Sequence, residues 1–194
     1  MQNKRSIGYI IGGVFILIAL YGIVTYNGFI KKEEKVNNQW AEVQNAYQRR
    51  LNLVPNLVST VQGGADFESG VLSQITEARS KASSITVNEP DSESNNRQLA
   101  AQNELASATN MLIARIEKYP ELKGTKAFSG LQVQLEGTER RIKVARKDFN
   151  ESVQIYNTGV KTFPANIIAK VFGFEPKHGF EASEEADKAV EIKF

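Results

Sequence analysis

The chain has 194 residues, with 24 Lys and Arg against 22 Asp and Glu, one histidine and no cysteine. The missing cysteine excludes disulfides, thiolate metal sites and thiol nucleophiles, and one histidine alone argues against zinc. Setting aside Lys4 and Arg5 leaves 22 charges of each sign, so the remainder is neutral, without the net basic balance that nucleic acid favours.

Residues 1–6 read as a short N-terminal tail, and 7–26 as a transmembrane helix. Ile7 to Tyr26 is uncharged and apolar, and about twenty such residues cross a hydrocarbon core of about 30 Å. The run is longer than a signal-peptide apolar core, and Ala19-Leu20-Tyr21 lacks the small third residue of a cleavage site, which predicts an uncleaved anchor. Gly8 and Gly12 have the Gly-x-x-x-Gly spacing that lets helix backbones approach. Lys31, Lys32 and Lys35 outnumber Lys4 and Arg5, but Glu33 and Glu34 dilute them and long domains translocate regardless of charge. The expected orientation is a cytoplasmic N-terminus with the domain outside.

Residues 28–174 read as a helical bundle. Val36, Trp40, Val43, Tyr47, Val54, Leu57 and Val61 recur in steps of four and three, with Arg50 filling the remaining slot. Gly63-Gly64 suits a helix end. A second seam runs through Val71, Ile75, Ala78, Ala82 and Ile85, and Asn88 to Asn96 follows as an expected polar loop. Leu105, Thr109, Leu112, Ile116 and Tyr119 form a third seam, closed by Pro120, and Gly124 marks the turn expected to follow. The fourth is the longest and includes Leu131, Leu135, Thr138, Ile142, Phe149 and Tyr156. No alternating strand pattern intervenes. The expectation is an all-α fold: a long antiparallel up-down four-helix bundle preceded by one N-terminal transmembrane helix. The first and fourth helices should run about thirty residues, near 45 Å, and the others about twenty. Pro164 suits the first turn of a further short helix, and 175–194 read as an extended acidic tail.

Trp40, Arg49-Arg50-Leu51, Leu53-Val54-Pro55-Asn56-Leu57-Val58 and Glu77-Ala78-Arg79 resemble the first half of the LemA family. Tyr119-Pro120, Leu135-Glu136-Gly137-Thr138-Glu139-Arg140-Arg141-Ile142, Phe163-Pro164 and Ala169-Lys170-Val171-Phe172-Gly173-Phe174 resemble its second half. Phe67-Glu68 departs from a His-Glu pair usual in the family, which weakens a metal or proton-handling role there. The resemblance implies a helical bundle on a membrane anchor and supplies no reaction.

Several residues stand out against this background. Pro55 removes a hydrogen bond to the Leu51 carbonyl inside a periodic helix and should kink it. Arg50 on an apolar seam needs a counter-charge, so an ion pair is expected between Arg49 or Arg50 and Glu136 or Glu139, with Asn56 and Thr138 completing its hydrogen bonding. Arg140, Arg141, Lys143, Arg146 and Lys147 form a basic stretch with interspersed acids, read as a solvated face rather than a lipid site. Phe163, Ile167, Ile168, Val171, Phe172 and Phe174 should lie on the membrane side of the domain, covered by the bundle, the acyl boundary or a neighbouring copy. No nucleophile elbow or phosphate loop appears, so no catalytic, cofactor-binding or metal residue is nominated and no enzyme is expected. The anticipated role is a self-associating structural component at the bacterial inner membrane. The alternative is a regulatory or adaptor subunit of another membrane protein, such as a protease or sensor kinase. The expected partners are the bilayer, further copies of the chain and another membrane protein.

Overall fold

The computed structural model describes residues 2–62, 69–85, 87 and 91–181, with side chains from Gly8 onward except at Ser69. The described chain is all-α: α1 (Gln2–Gln62), α2 (Ser69–Ser84), α3 (Ser92–Ile116), α4 (Pro120–Lys123), α5 (Lys126–Lys161) and α6 (Ala165–Phe172). Gly63-Gly64 and Phe67-Glu68 lie outside the described residues.

Three expectations need correction. The apolar segment and the first bundle helix are one uninterrupted α1 of 61 residues, which also takes in the supposed tail from Gln2. Nothing between Tyr26 and Val36 stops a helix: Gly28 is an isolated glycine, and Phe29 and Val36 are buried. The polar stretch before α3 is only partly a loop, because Asp91 caps α3 in a reciprocal box with Ser94 and Asn95 is fully buried. The turn after Pro120 closes into the four-residue α4.

The chain forms two compact units. One combines the residues up to Asn38 with Glu151–Lys177. The other combines Gln39–Asn150 with the segment from His178. Within the first unit the apolar helix packs with the end of α5 and with α6.

In the first unit, Phe29, Val36, Val153, Tyr156, Val160 and Ala169 are buried. Gly159 permits this contact, because a Cβ there would lie 3.3 Å from the Phe29 ring and 2.7 Å from Lys32 Nζ. The short α6 stops at Gly173, whose φ of 75° is the left-handed conformation that glycine adopts freely. The turn sets Phe174 against Tyr26 and Phe29, with ring centroids 5.5 and 5.1 Å apart. Asn157 holds Lys177 by donating to its carbonyl and accepting from its N–H, both at 2.8 Å. Lys177 also pairs with Glu33 at 2.9 Å.

In the second unit, Leu51, Val54, Leu57, Val61, Ile75, Ala78, Leu105, Leu112, Ile116 and Leu135 belong to one hydrophobic core. Trp40 lies beside Phe149 and Arg50 beside Glu139, so α1 and α5 run antiparallel in matched register. Gln44 meets Gln98 and Arg50 meets Gln102, so α1 and α3 run parallel. Both relations are those of an up-down bundle.

Candidate functional site

The second unit carries a line of polar groups where an apolar seam would ordinarily continue. Arg50 is only 3% exposed. Its Nη1 donates to the Gln102 backbone carbonyl at 2.9 Å and to Gln102 Oε1 at 3.0 Å, while Nη2 donates to Glu139 Oε2 at 2.5 Å. The Glu139 side chain is 45% exposed, so the ion pair is buried at one end and hydrated at the other. Arg49 and Glu136 are not part of it. Arg49 faces a separate groove with Glu42, Arg141 and Asp148, and Glu136 accepts from Gln132 on its own helix. One residue is a rotation of about 100° on a helix, which separates Arg49 from Arg50. Gln102, rather than Asn56 or Thr138, completes the Arg50 hydrogen bonding: Asn56 is exposed and Thr138 donates to the Gln134 carbonyl.

One turn earlier, Gln44 and Gln98 exchange reciprocal amide hydrogen bonds of 2.9 Å. Asn95, Gln98 and Gln102 share the three-four spacing of Leu105, Thr109 and Leu112, a continuation the sequence reading missed because the residues are polar.

Pro55 sits inside α1. It has no N–H for the Leu51 carbonyl four residues earlier. Arg79 of α2 supplies the donor instead, its Nε lying 3.0 Å from that oxygen. The proline of one sequence motif and the arginine of another thus meet at one backbone atom.

The described part of the expected acidic tail makes packed contacts. Phe180 is buried against Trp40 and Phe149, with centroids 5.9 and 5.6 Å away. Asn150 clamps its backbone, accepting from the Phe180 N–H at 2.8 Å and donating to its carbonyl at 3.1 Å. The missing side chain at Gly179 leaves room for this approach, since a Cβ there would lie 2.7 Å from Asn150 Oδ1. An isolated aromatic among polar residues gave little sign of this docking. Glu184, Glu185, Asp187 and Glu191 lie outside the described residues.

Beside Phe180 is a groove of about 820 Å³, lined by Tyr47 and Arg50 of α1, Asn103 of α3 and a run of α5 from Glu139 to Asn150. Arg140, Lys143, Arg146 and Lys147 of the basic stretch all line it, and the Arg146 guanidinium stands 4.9 Å from the centre of the Phe180 ring. Burial raises the Tyr47 hydroxyl above the usual phenol range, opposed by Arg146 and Arg50 and reinforced by Glu139.

The first unit presents an apolar surface instead. Among the described residues, α1 is the one helix long and apolar enough to cross a membrane. Pro164, Ile167 and Ile168 line a cleft of about 380 Å³ with Val14, Leu17, Ile18 and Tyr21. Phe172 stacks edge-on with Tyr26 at 4.9 Å. Ile168 and Phe174 are half-buried, while Phe163, Ile167, Val171 and Phe172 are exposed. The chain's own packing therefore covers only part of the expected membrane-side cluster. A Cβ at Gly8 or Gly12 would meet nothing within 4 Å, so the backbone is open there.

Among the described residues, no three His, Asp or Glu side chains gather in a way that could hold a metal. The pattern of the LemA family matches residues 39–194. The protein named LemA from Metamycoplasma hominis is 25% identical over 158 residues, covering 81% of this chain and 69% of that protein. Magnetosome protein MamQ 2 of Paramagnetospirillum magneticum and magnetosome protein MamQ of Magnetospirillum gryphiswaldense are each 22% identical over 187 residues, covering 87% of this chain and 69% of theirs. With its family pattern spanning most of the sequence, behind one helix able to cross a membrane, the chain belongs to the LemA family as a membrane-anchored helical protein.

Proposed function

We propose that this protein is a non-enzymatic scaffold whose copies associate side by side in the bacterial inner membrane, with the bundle on the extracytoplasmic face. The observation that carries this reading is the apolar surface shared by α1 and α6. Val171 is 71% exposed and Phe163 76%, beside an α1 segment whose side chains also point outward. Surface of this kind is stable only when lipid or another protein covers it. Tethering copies in two dimensions raises their effective concentration, so modest contacts suffice for assembly. The open backbone at Gly8 and Gly12 supplies a further close-approach face.

The test is mass measurement of the native complex after mild detergent extraction. Assemblies at multiples of the 21.5 kDa chain support the scaffold, as do inter-chain cross-links from single cysteines placed at Val171 or Phe172. A monomer without cross-links would overturn it. A fixed heteromer with one other membrane protein would favour an adaptor subunit instead.

A further inference from the structure

We infer that the groove over Tyr47 is a binding site for the phosphate group of a small molecule or lipid headgroup. Its lining sets five basic side chains, Arg50, Arg140, Lys143, Arg146 and Lys147, against the carboxylates Glu139 and Glu181. Both carboxylates already accept hydrogen bonds, Glu139 from Arg50 and Glu181 from the Ser92 hydroxyl at 3.3 Å. With Arg50 paired to Glu139, the remaining Arg140, Lys143 and Arg146 outnumber Glu181, so the excess charge in the groove is positive, although the chain beyond Arg5 is neutral.

Two buried donor groups strengthen the case. Tyr47 is 2% exposed, and its hydroxyl has no hydrogen-bond partner among the described residues. The Nε of half-buried Arg146 likewise has none. Buried polar groups are ordinarily matched, and an unmatched donor beside concentrated positive charge is suited to an anion. The volume of about 820 Å³ falls within the range of about 300–1,000 Å³ typical of small-molecule sites. Arginine forks and lysine ammonium groups match the several acceptor oxygens of a phosphate, which take more donors than a single carboxylate. A solvated helix face explains exposed Arg140 and Lys143. It does not explain why α1 brings a buried phenol without a hydrogen-bond partner among the described residues to the same place.

The protein contains a single tryptophan, Trp40, and its ring lies 5.9 Å from Phe180 in the groove lining, which provides a natural reporter. The experiment uses the full chain in dodecyl maltoside micelles, which carry no phosphate, titrated with inorganic phosphate at ionic strength fixed by chloride. Trp40 fluorescence and phosphorus NMR linewidth are both followed. The expected result is saturable binding, weakened about tenfold or more by Arg140→Gln with Lys143→Gln, because charge-assisted hydrogen bonds are lost. Tyr47→Phe should weaken it several-fold while leaving the melting temperature of the ligand-free protein unchanged or higher. A parallel set of micelles doped with phosphatidic acid separates the sources. If that lipid abolishes the free-phosphate titration, the bound phosphate is the headgroup's; if the titration persists, the ligand is soluble. The assignment is overturned by the absence of saturable binding in both readouts, by equal binding of acetate, or by unchanged affinity in Tyr47→Phe.

Discussion

The contact between Arg79 and the Leu51 carbonyl yields a sharp energetic prediction, because its reason for existing lies four residues away in Pro55. Arg79→Met keeps much of the aliphatic length but removes the donor at 3.0 Å. Leu51 is 7% exposed, so water cannot readily replace it. Leaving a buried acceptor unmatched costs about 1–3 kcal/mol. Arg79 is itself half-buried and regains hydration when unfolded, which places the expected loss near 2 kcal/mol rather than at the top of that range. In a chain of this size, such a loss lowers the melting temperature by about 4–8 °C. In a Pro55→Ala background, the substituted alanine offers its own N–H to the same oxygen. Arg79→Met should then cost less than about 1 kcal/mol, giving a coupling of at least about 1 kcal/mol in the double-mutant cycle. Urea denaturation of all four variants in one detergent, followed by helical circular dichroism, measures it. Equal losses in the two backgrounds would refute the reasoning, because Arg79 would then act without reference to the missing proline N–H.

Arg50→Met strands the 2%-exposed Gln102 side chain, while the half-exposed Glu139 rehydrates. The expected cost is therefore about 1–3 kcal/mol, below the roughly 3–5 kcal/mol of a fully buried pair, and Gln102→Leu added to Arg50→Met should recover part of it in urea melts. Hydrogen bonds from the Ser94 N–H and hydroxyl hold the Asp91 carboxyl below its ordinary value. Its folded pKa is thus lower than its unfolded one, so the cap stabilises above pH about 4 and fades as pH falls through the folded value; the melting difference between wild type and Asp91→Ala should vanish in acid. Burial first, then Glu33 and Glu175, push the Tyr156 hydroxyl up to about 12. The stability it contributes is present below its unfolded pKa near 10 and is lost as pH rises towards 12, and Tyr156→Phe should remove one phenolate from the last step of an absorbance titration.

The bundle was legible in the sequence because its seams are periodic: Val36, Val43, Val54, Leu57 and Val61 are all buried where the three-four rhythm places them. Arg50 announced a need for a partner by occupying that rhythm. The pattern could not choose between Glu136 and Glu139, which depends on the rotation of α5. The start of α3 reads as loop because Asn95 looks solvated until its partner in the 178–181 segment is known, as do Gln98 and Gln102 until theirs on α1 are. The Asp91-x-x-Ser94 cap was a readable signal of that helix start. The docking of Phe180 was unreadable for a different reason, since it depends on Asn150, whose partner lies 30 residues along the chain. The groove over Tyr47 combines both difficulties. Its charges stand in one run of sequence, but their concentration arises only from folding.

The reciprocal Gln44–Gln98 bonds and the Arg50–Gln102 contact have a consequence for how the bundle chooses its alignment. Purely aliphatic faces slide past one another in steps of a few residues with modest loss, because one leucine substitutes readily for the next. Polar groups inside such a face do not. Moving α3 forward by seven residues would set Leu105 opposite Gln44 and Thr109 near the Arg50 guanidinium, stranding an amide and removing the Gln102 side-chain oxygen that receives the arginine. The three glutamines and one arginine therefore act as notches in a key, permitting the two helices a single axial setting.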